Sequence, residues 1–121
     1  NFANSSIDIS DGLIADLEKM LNNQNYSYRI SEEKIPVSKY LSLLIKNRKF
    51  NKSKLISKGD DYQILFTASP INFRIIKRTS KIHRIKITKI GKIISANKKS
   101  CLIDKKGRQI LIKNKGYVHQ F

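Results

Sequence analysis

Between Asp8 and Gly12 the apolar period of this chain changes, and that change limits what the chain can fold into. Upstream, Ile7 and Ile9 fall on one side and Asp8 and Ser10 on the other, the alternation of a half-buried strand. Downstream, Leu13, Ile14, Leu17, Met20 and Leu21 recur at helical spacing, with Ser10 or Asp11 suited to the N-cap and an end expected near Asn22-Asn23. A short strand therefore runs into a helix through Asp8-Ile9-Ser10-Asp11-Gly12, with three polar side chains at the junction.

The rest of the chain mixes both element types. Tyr26 to Ile30 alternates and suits a strand, and Ile35-Pro36-Val37 is extended because a residue before proline avoids the α region. Tyr40, Leu41, Leu43, Leu44 and Ile45 suggest a second helix over 38–47, followed by a polar, basic stretch from Arg48 to Lys58. Tyr62 to Ala68 is rich in β-formers and is expected to be a buried strand. Pro70 opens a helix over 70–80 carrying Ile71, Phe73, Ile75 and Ile76. Residues 84–95 alternate and suggest a strand bent at Gly91. Cys101–Asp104 and Gln109–Lys113 flank a turn at Lys105-Lys106-Gly107, the pattern of a hairpin. Helices and strands without strict βαβ alternation give an α+β class, a mixed sheet with helices packed on it.

Composition narrows the class of protein. At 121 residues the chain is one domain by length. One cysteine, Cys101, excludes an internal disulfide framework and a cysteine-rich zinc site, and the thiol is expected in the core. No apolar run approaches the length of a spanning helix, and no signal-peptide pattern opens the chain, so a reducing, cytoplasmic location is expected. The start at Asn1-Phe2-Ala3 and the single Met20 suggest a piece of something longer. The net charge of +16 is concentrated beyond residue 69, where 15 basic side chains face one acid, Asp104. A basic half of this size can neutralise phosphates. However, Lys, Ile and Asn make up 49 of the residues (19, 20 and 10), a bias that AT-rich coding produces, and the lysines are dispersed. With aromatics nearly missing from 74–115, nucleic acid is not the expected partner.

Three features could carry chemistry. Asp8 and Asp11, three apart at the strand-to-helix junction, can reach one point, which suits a divalent cation that takes one or two carboxylates and completes its shell with phosphate oxygens and water. Ser10 can donate to a phosphate oxygen, and the helix N-terminus adds backbone N–H groups and positive partial charge. The plain alternative is that Asp11 caps the helix and Asp8 is solvated; spacing does not choose. Gly59-Asp60-Asp61-Tyr62 sets two acids on a hinge before an apolar strand, either a ligand site or a solvated turn. Eight of the nine acids lie before residue 62, and four of them sit in these two motifs. Gly116-Tyr117-Val118-His119-Gln120-Phe121 closes the chain with aromatics that either tuck into the core or stack on a ligand ring. His83 and His119 lack a metal-ligand partner pattern, and no Walker-type loop, G-x-S-x-G or Ser/His/Asp set is present.

In this order the three features resemble the C-terminal half of the thiamine-monophosphate kinase family. That half opens with D-I-S-D-G-L, continues through I-P-(L/V) to G-(E/D)-D-Y-E-L-L-F-T, passes a T-x-I-G-x-I segment and closes on G-Y-x-H-F. Here stand Asp8-Ile9-Ser10-Asp11-Gly12-Leu13, Ile35-Pro36-Val37, Gly59-Asp60-Asp61-Tyr62-Gln63-Ile64-Leu65-Phe66-Thr67, Thr88-Lys89-Ile90-Gly91-Lys92-Ile93 and Gly116-Tyr117-Val118-His119. The family pattern usually has two glycines before the acid pair, Glu at positions 60 and 63, and H-F at the end. This chain has Lys58, Asp60, Gln63 and His119-Gln120-Phe121.

The resemblance implies transfer of the γ-phosphate of ATP to thiamine monophosphate, in an α+β domain of the aminoimidazole ribonucleotide synthetase-like superfamily. It implies Mg²⁺ on Asp8 and Asp11, ATP phosphate on Ser10, and the thiamine moiety on Asp60 and an aromatic best matched by Tyr117. The N-terminal half, which in the family brings further acidic ligands, most ATP contacts and the homodimer interface, is then absent from this chain, and the chain alone is expected to be inactive. The rivals are another member of the superfamily, such as a selenophosphate synthetase, and a non-catalytic basic fragment that binds nucleic acid. A salt titration separates the latter.

Overall fold

A computed structural model describes residues 2–22, 24–37 and 63–110. The junction forms as its pattern predicts: β1 (Ser5–Asp8) leads into α1 (Leu13–Met20). Ile9 is buried while Asp8 and Ser10 are exposed, so the alternation carries one residue past the strand. β1 pairs antiparallel with β3 (Ile64–Thr67), from Ser5 opposite Thr67 to Asp8 opposite Ile64. The hydroxyls of Ser5 and Thr67 lie 2.6 Å apart, and the rings of Phe2 and Phe66 pack at 5.6 Å between centroids.

The second sheet is mixed, with strand order β4-β2-β5-β6. β2 (Tyr26–Ser31) is central, antiparallel to β4 (Gly91–Ser95) and parallel to β5 (Cys101–Ile103). β6 (Gln109–Ile110) returns antiparallel to β5 through a turn in which Gly107 takes φ 81°, the left-handed region that glycine adopts without a Cβ clash. Gly91 has a different constraint. A Cβ there would lie 2.2 Å from the Arg29 carbonyl oxygen and 2.9 Å from Ile30 Cα, so the close approach of β4 to β2 requires its absence.

The core is where the α1 stripe meets this second sheet. Ile14, Leu17 and Leu102 are almost wholly buried, and Leu13, Met20, Leu21, Tyr28, Ile30, Ile35 and Ile9 join them in one cluster. Each such side chain contributes about 1.5–3 kcal/mol when removed from water. Tyr28 also donates its hydroxyl to Glu18 Oε1 at 3.1 Å, tying β2 to α1. Burial first, and then the Glu18 charge, push the Tyr28 phenol well above its ordinary value.

Several expectations shift at their edges. The strand expected over Tyr62–Ala68 is laddered over Ile64–Thr67 and is not buried, with Ile64 exposed, because among the described residues its sheet has two strands. The strand expected over 84–95 is confined to Gly91–Ser95 and one further bond, from Ser31 N–H to the Ile90 carbonyl at 2.9 Å. Residues 85–90 join no ladder among the described residues. The helix expected over 70–80 begins as a 3₁₀ turn at Pro70–Asn72 and continues as α2 (Phe73–His83). It stops where Arg84 turns left-handed at φ 53°. Cys101 is on a strand but only partly buried. The helix expected over 38–47 lies outside the described residues. Among the described residues no helix is long and apolar enough to cross a membrane.

Candidate metal and phosphate site

The loop from Asp8 to Gly12 is fixed at three points, and none of them is the N-cap that its sequence suggests. The cap position is Gly12, with φ 127° and ψ 151° and no side-chain cap, rather than Ser10 or Asp11. Asp16, inside the first turn, acts in their place. Its Oδ2 accepts the backbone N–H of Ser10 at 2.7 Å and that of Asp11 at 2.9 Å, while its own N–H donates to the Gly12 carbonyl at 3.0 Å. The third point is across the sheet, where the Ile9 N–H donates to the Gln63 carbonyl at 2.7 Å.

Asp16 is 1% exposed, which an ionised carboxylate tolerates only when its oxygens are occupied. Oδ2 holds the two backbone donors, and Oδ1 receives Lys19 Nζ at 3.3 Å. Lys19 also donates to Asp11 Oδ2, so one ammonium joins the two acids. The Asp11 hydrogen bond is the main reason the Lys19 pKa lies above its ordinary value, with Asp16 adding to it against some desolvation.

These contacts decide which groups of the loop face outward. The amides of Ser10 and Asp11, which a bare helix start would offer to a phosphate, are satisfied by Asp16. Asp8 and Ser10 are exposed at the end of β1. Asp11 is buried and turned to Lys19. Thus Asp8, Ser10 and Asp11 share one junction, as predicted, but the two carboxylates differ in environment. Asp60 and Tyr117 lie outside the described residues.

The donor set suits a hard cation of low protein coordination. Among the described residues no three His, Cys, Asp or Glu side chains come together, so of these residues a metal here would take at most the pair Asp8 and Asp11. The Lys19 ammonium pairs with Asp11, so this carboxylate already has a positive partner in place.

Asp16 and Lys19 are the residues that sequence reading missed. The signal for Asp16 was present. Its position is on the same helical face as Leu13, Leu17 and Met20, and an acid in an apolar stripe must find buried donors. Lys19, three residues on, follows from the i,i+3 geometry of the helix.

No family model matches the chain. Among curated proteins it is 40% identical over 119 residues to a thiamine-monophosphate kinase of Buchnera aphidicola subsp. Schizaphis graminum. It is 30% identical over 119 residues to that of Escherichia coli K12. Both matches take in 98% of this chain and 36% of the relative, whose C-terminal part is the part matched. Among solved structures, a thiamine-monophosphate kinase from Stenotrophomonas maltophilia superposes with a TM-score of 0.74 at 26% identity, over 90% of this chain and 33% of that one. A second, AaThiL complexed with AMPPCP and TMP, superposes at 0.71 and 26% identity over 99% of this chain and 35% of that one. The chain spans about a third of the length of the curated relatives it matches.

Proposed function

We propose that this chain, matched along nearly its whole length to the C-terminal part of thiamine-monophosphate kinases, supplies one side of the site at which such a kinase phosphorylates thiamine monophosphate with ATP. The observation that carries the proposal is the Ile9–Gln63 bond at 2.7 Å. It ties the Asp8–Gly12 loop to Gln63 at the end of the β1–β3 ladder, and Gln63 follows Gly59-Asp60-Asp61-Tyr62 directly in the sequence.

In this reading Asp8 and Asp11 hold Mg²⁺, Ser10 donates its hydroxyl to an ATP phosphate oxygen, and Asp60 and Tyr117 take the cationic, flat thiamine moiety. The bound metal would neutralise charge between the two phosphorylated reactants. The chain's own contribution is positioning. Asp16 holds the backbone at Ser10 and Asp11 and the β1–β3 ladder holds it at Asp8, and fixed placement is what a transfer between two anions requires. Attack comes from the substrate phosphate itself, without a nucleophilic side chain. ATP is the co-substrate, Mg²⁺ the cofactor, and the cytoplasm the place of work. The remaining two thirds of a kinase of this type would act with the chain, bringing further metal ligands, most ATP contacts and the homodimer interface. Ile71 and, on α2, Ile75 and Ile82 are exposed apolar side chains consistent with cover from such a partner region.

The test is Mg²⁺-dependent conversion of thiamine monophosphate to thiamine diphosphate by the full-length kinase containing this chain, with Asp8→Asn and Asp11→Asn beside it. Each substitution should lower kcat by about 10²–10³-fold, the scale of losing a charge-stabilising group. Activity indifferent to both substitutions would remove the metal assignment. No turnover from a folded full-length protein would remove the kinase reading.

A further inference from the structure

The Asp8–Gly12 loop already carries a cation of its own. Lys19 Nζ donates to Asp11 Oδ2 and lies 3.3 Å from Asp16 Oδ1, while Asp8, the other acid of the pair, is exposed at the strand end. An ammonium between two carboxylates is neutralised by them and is a poor attractor of phosphate. Its side chain is half exposed, whereas those of Asp11 and Asp16 are 10% and 2% exposed, so the lysine is the member of the trio that can leave. Asp16 cannot follow it, because its other oxygen is committed to the Ser10 and Asp11 amides.

We infer that Lys19 is a built-in counter-ion of the metal site, which occupies Asp11 when no divalent cation is bound and swings into solvent when one binds. The inference rests on the reading of Asp8 and Asp11 as metal ligands. Its physical consequence is competition. Divalent binding must break the Lys19–Asp11 pair and then accept a nearby positive charge, so the lysine lowers metal affinity while keeping the buried Asp11 carboxylate compensated. A purely structural ion pair predicts the opposite sign or no change, because removing it would loosen the loop that presents both acids.

The experiment is a Mn²⁺ titration of the full-length kinase that contains this chain, selectively labelled at serine and aspartate and read by paramagnetic broadening of the Ser10 and Asp11 amide resonances. Wild type is compared with Lys19→Met, Lys19→Arg, Asp8→Asn and, as a control for net charge, Lys106→Met on the β5–β6 turn. Lys19→Met should tighten Mn²⁺ binding by at least about threefold, the scale of losing an ion pair whose lysine is half exposed. Lys19→Arg should bind no tighter than wild type, and Lys106→Met should change little. Equal or weaker binding in Lys19→Met, or equal tightening in Lys106→Met, overturns the counter-ion while leaving the metal site standing. Absence of broadening at Ser10 and Asp11 in both wild type and Lys19→Met, or broadening that persists unchanged in Asp8→Asn, overturns the metal reading and the counter-ion with it.

Discussion

The Asp16 carboxylate reaches back five residues to accept the Asp11 backbone N–H at 2.9 Å, and the same oxygen takes the Ser10 N–H. A buried acid in the first turn of α1 thereby shapes the loop that precedes the helix. The arrangement resembles a capping box in effect, since a side chain inside the helix satisfies donors before it, but here the donors belong to the candidate site.

Asp16→Ala should therefore be among the more costly single substitutions in the chain. It strands two donors, one of them buried, and leaves a cavity. The loss should be about 2–4 kcal/mol, seen as a lower urea midpoint. Asp16→Asn keeps an acceptor of the same shape and should cost less. Equal stability of Asp16→Ala and wild type would contradict the role given to these bonds.

Gly91→Ala tests the packing of the second sheet. The added methyl would meet the Arg29 carbonyl and the Ile30 backbone, neither of which can rotate away. The β2–β4 ladder must part, at a cost of about 1–3 kcal/mol. Amide exchange of Ser31, whose N–H donates to the Ile90 carbonyl next door, should speed up more than that of residues in α1.

Acid should open the β5–β6 hairpin before it reaches the core. The Asp104 carboxyl lies below its ordinary value chiefly because the Arg108 backbone N–H donates to it, with the Arg108 side chain and the Lys106 N–H adding to that. A depressed carboxylate contributes stability that is complete above its unfolded value, about 3.9, and is lost as pH falls through the lower folded value. Amide shifts of Lys106 and Arg108 should titrate in that window and be flat in Asp104→Asn.

Alkali should act through Tyr28. Its phenol is raised by burial and by Glu18, so it stays protonated through the ordinary tyrosine range while the unfolded chain ionises. Stability should consequently fall as pH rises above about 10. Tyr28→Phe removes that slope and the Glu18 hydrogen bond, at a cost near 1 kcal/mol at neutral pH. An unchanged alkaline slope in Tyr28→Phe would refute the assignment.

The sequence alone determined the elements whose side chains obey a period. β1, α1, β2 and the β5–β6 turn follow from the alternation at Ile7 and Ile9, the stripe from Leu13 to Leu21, the alternation at Tyr26–Ile30 and the glycine at 107, because each pattern reflects which side meets water. The same local logic drew attention to Asp8, Ser10 and Asp11 at one junction. Tertiary structure decided what periodicity cannot encode. Whether residues 85–90 join a ladder depends on a neighbouring strand being there, and whether Tyr62–Ala68 is buried depends on how many strands flank it. It also decided the chemistry of the loop. Hydrogen bonds from Ser10 and Asp11 to Asp16, and the pairing of Asp11 with Lys19, arise only when the first two turns of α1 fold back against the strand end. Until then each of these charges is satisfied by water; the order of residues marks Asp16 as an acid within an apolar stripe but does not say which donors it will meet.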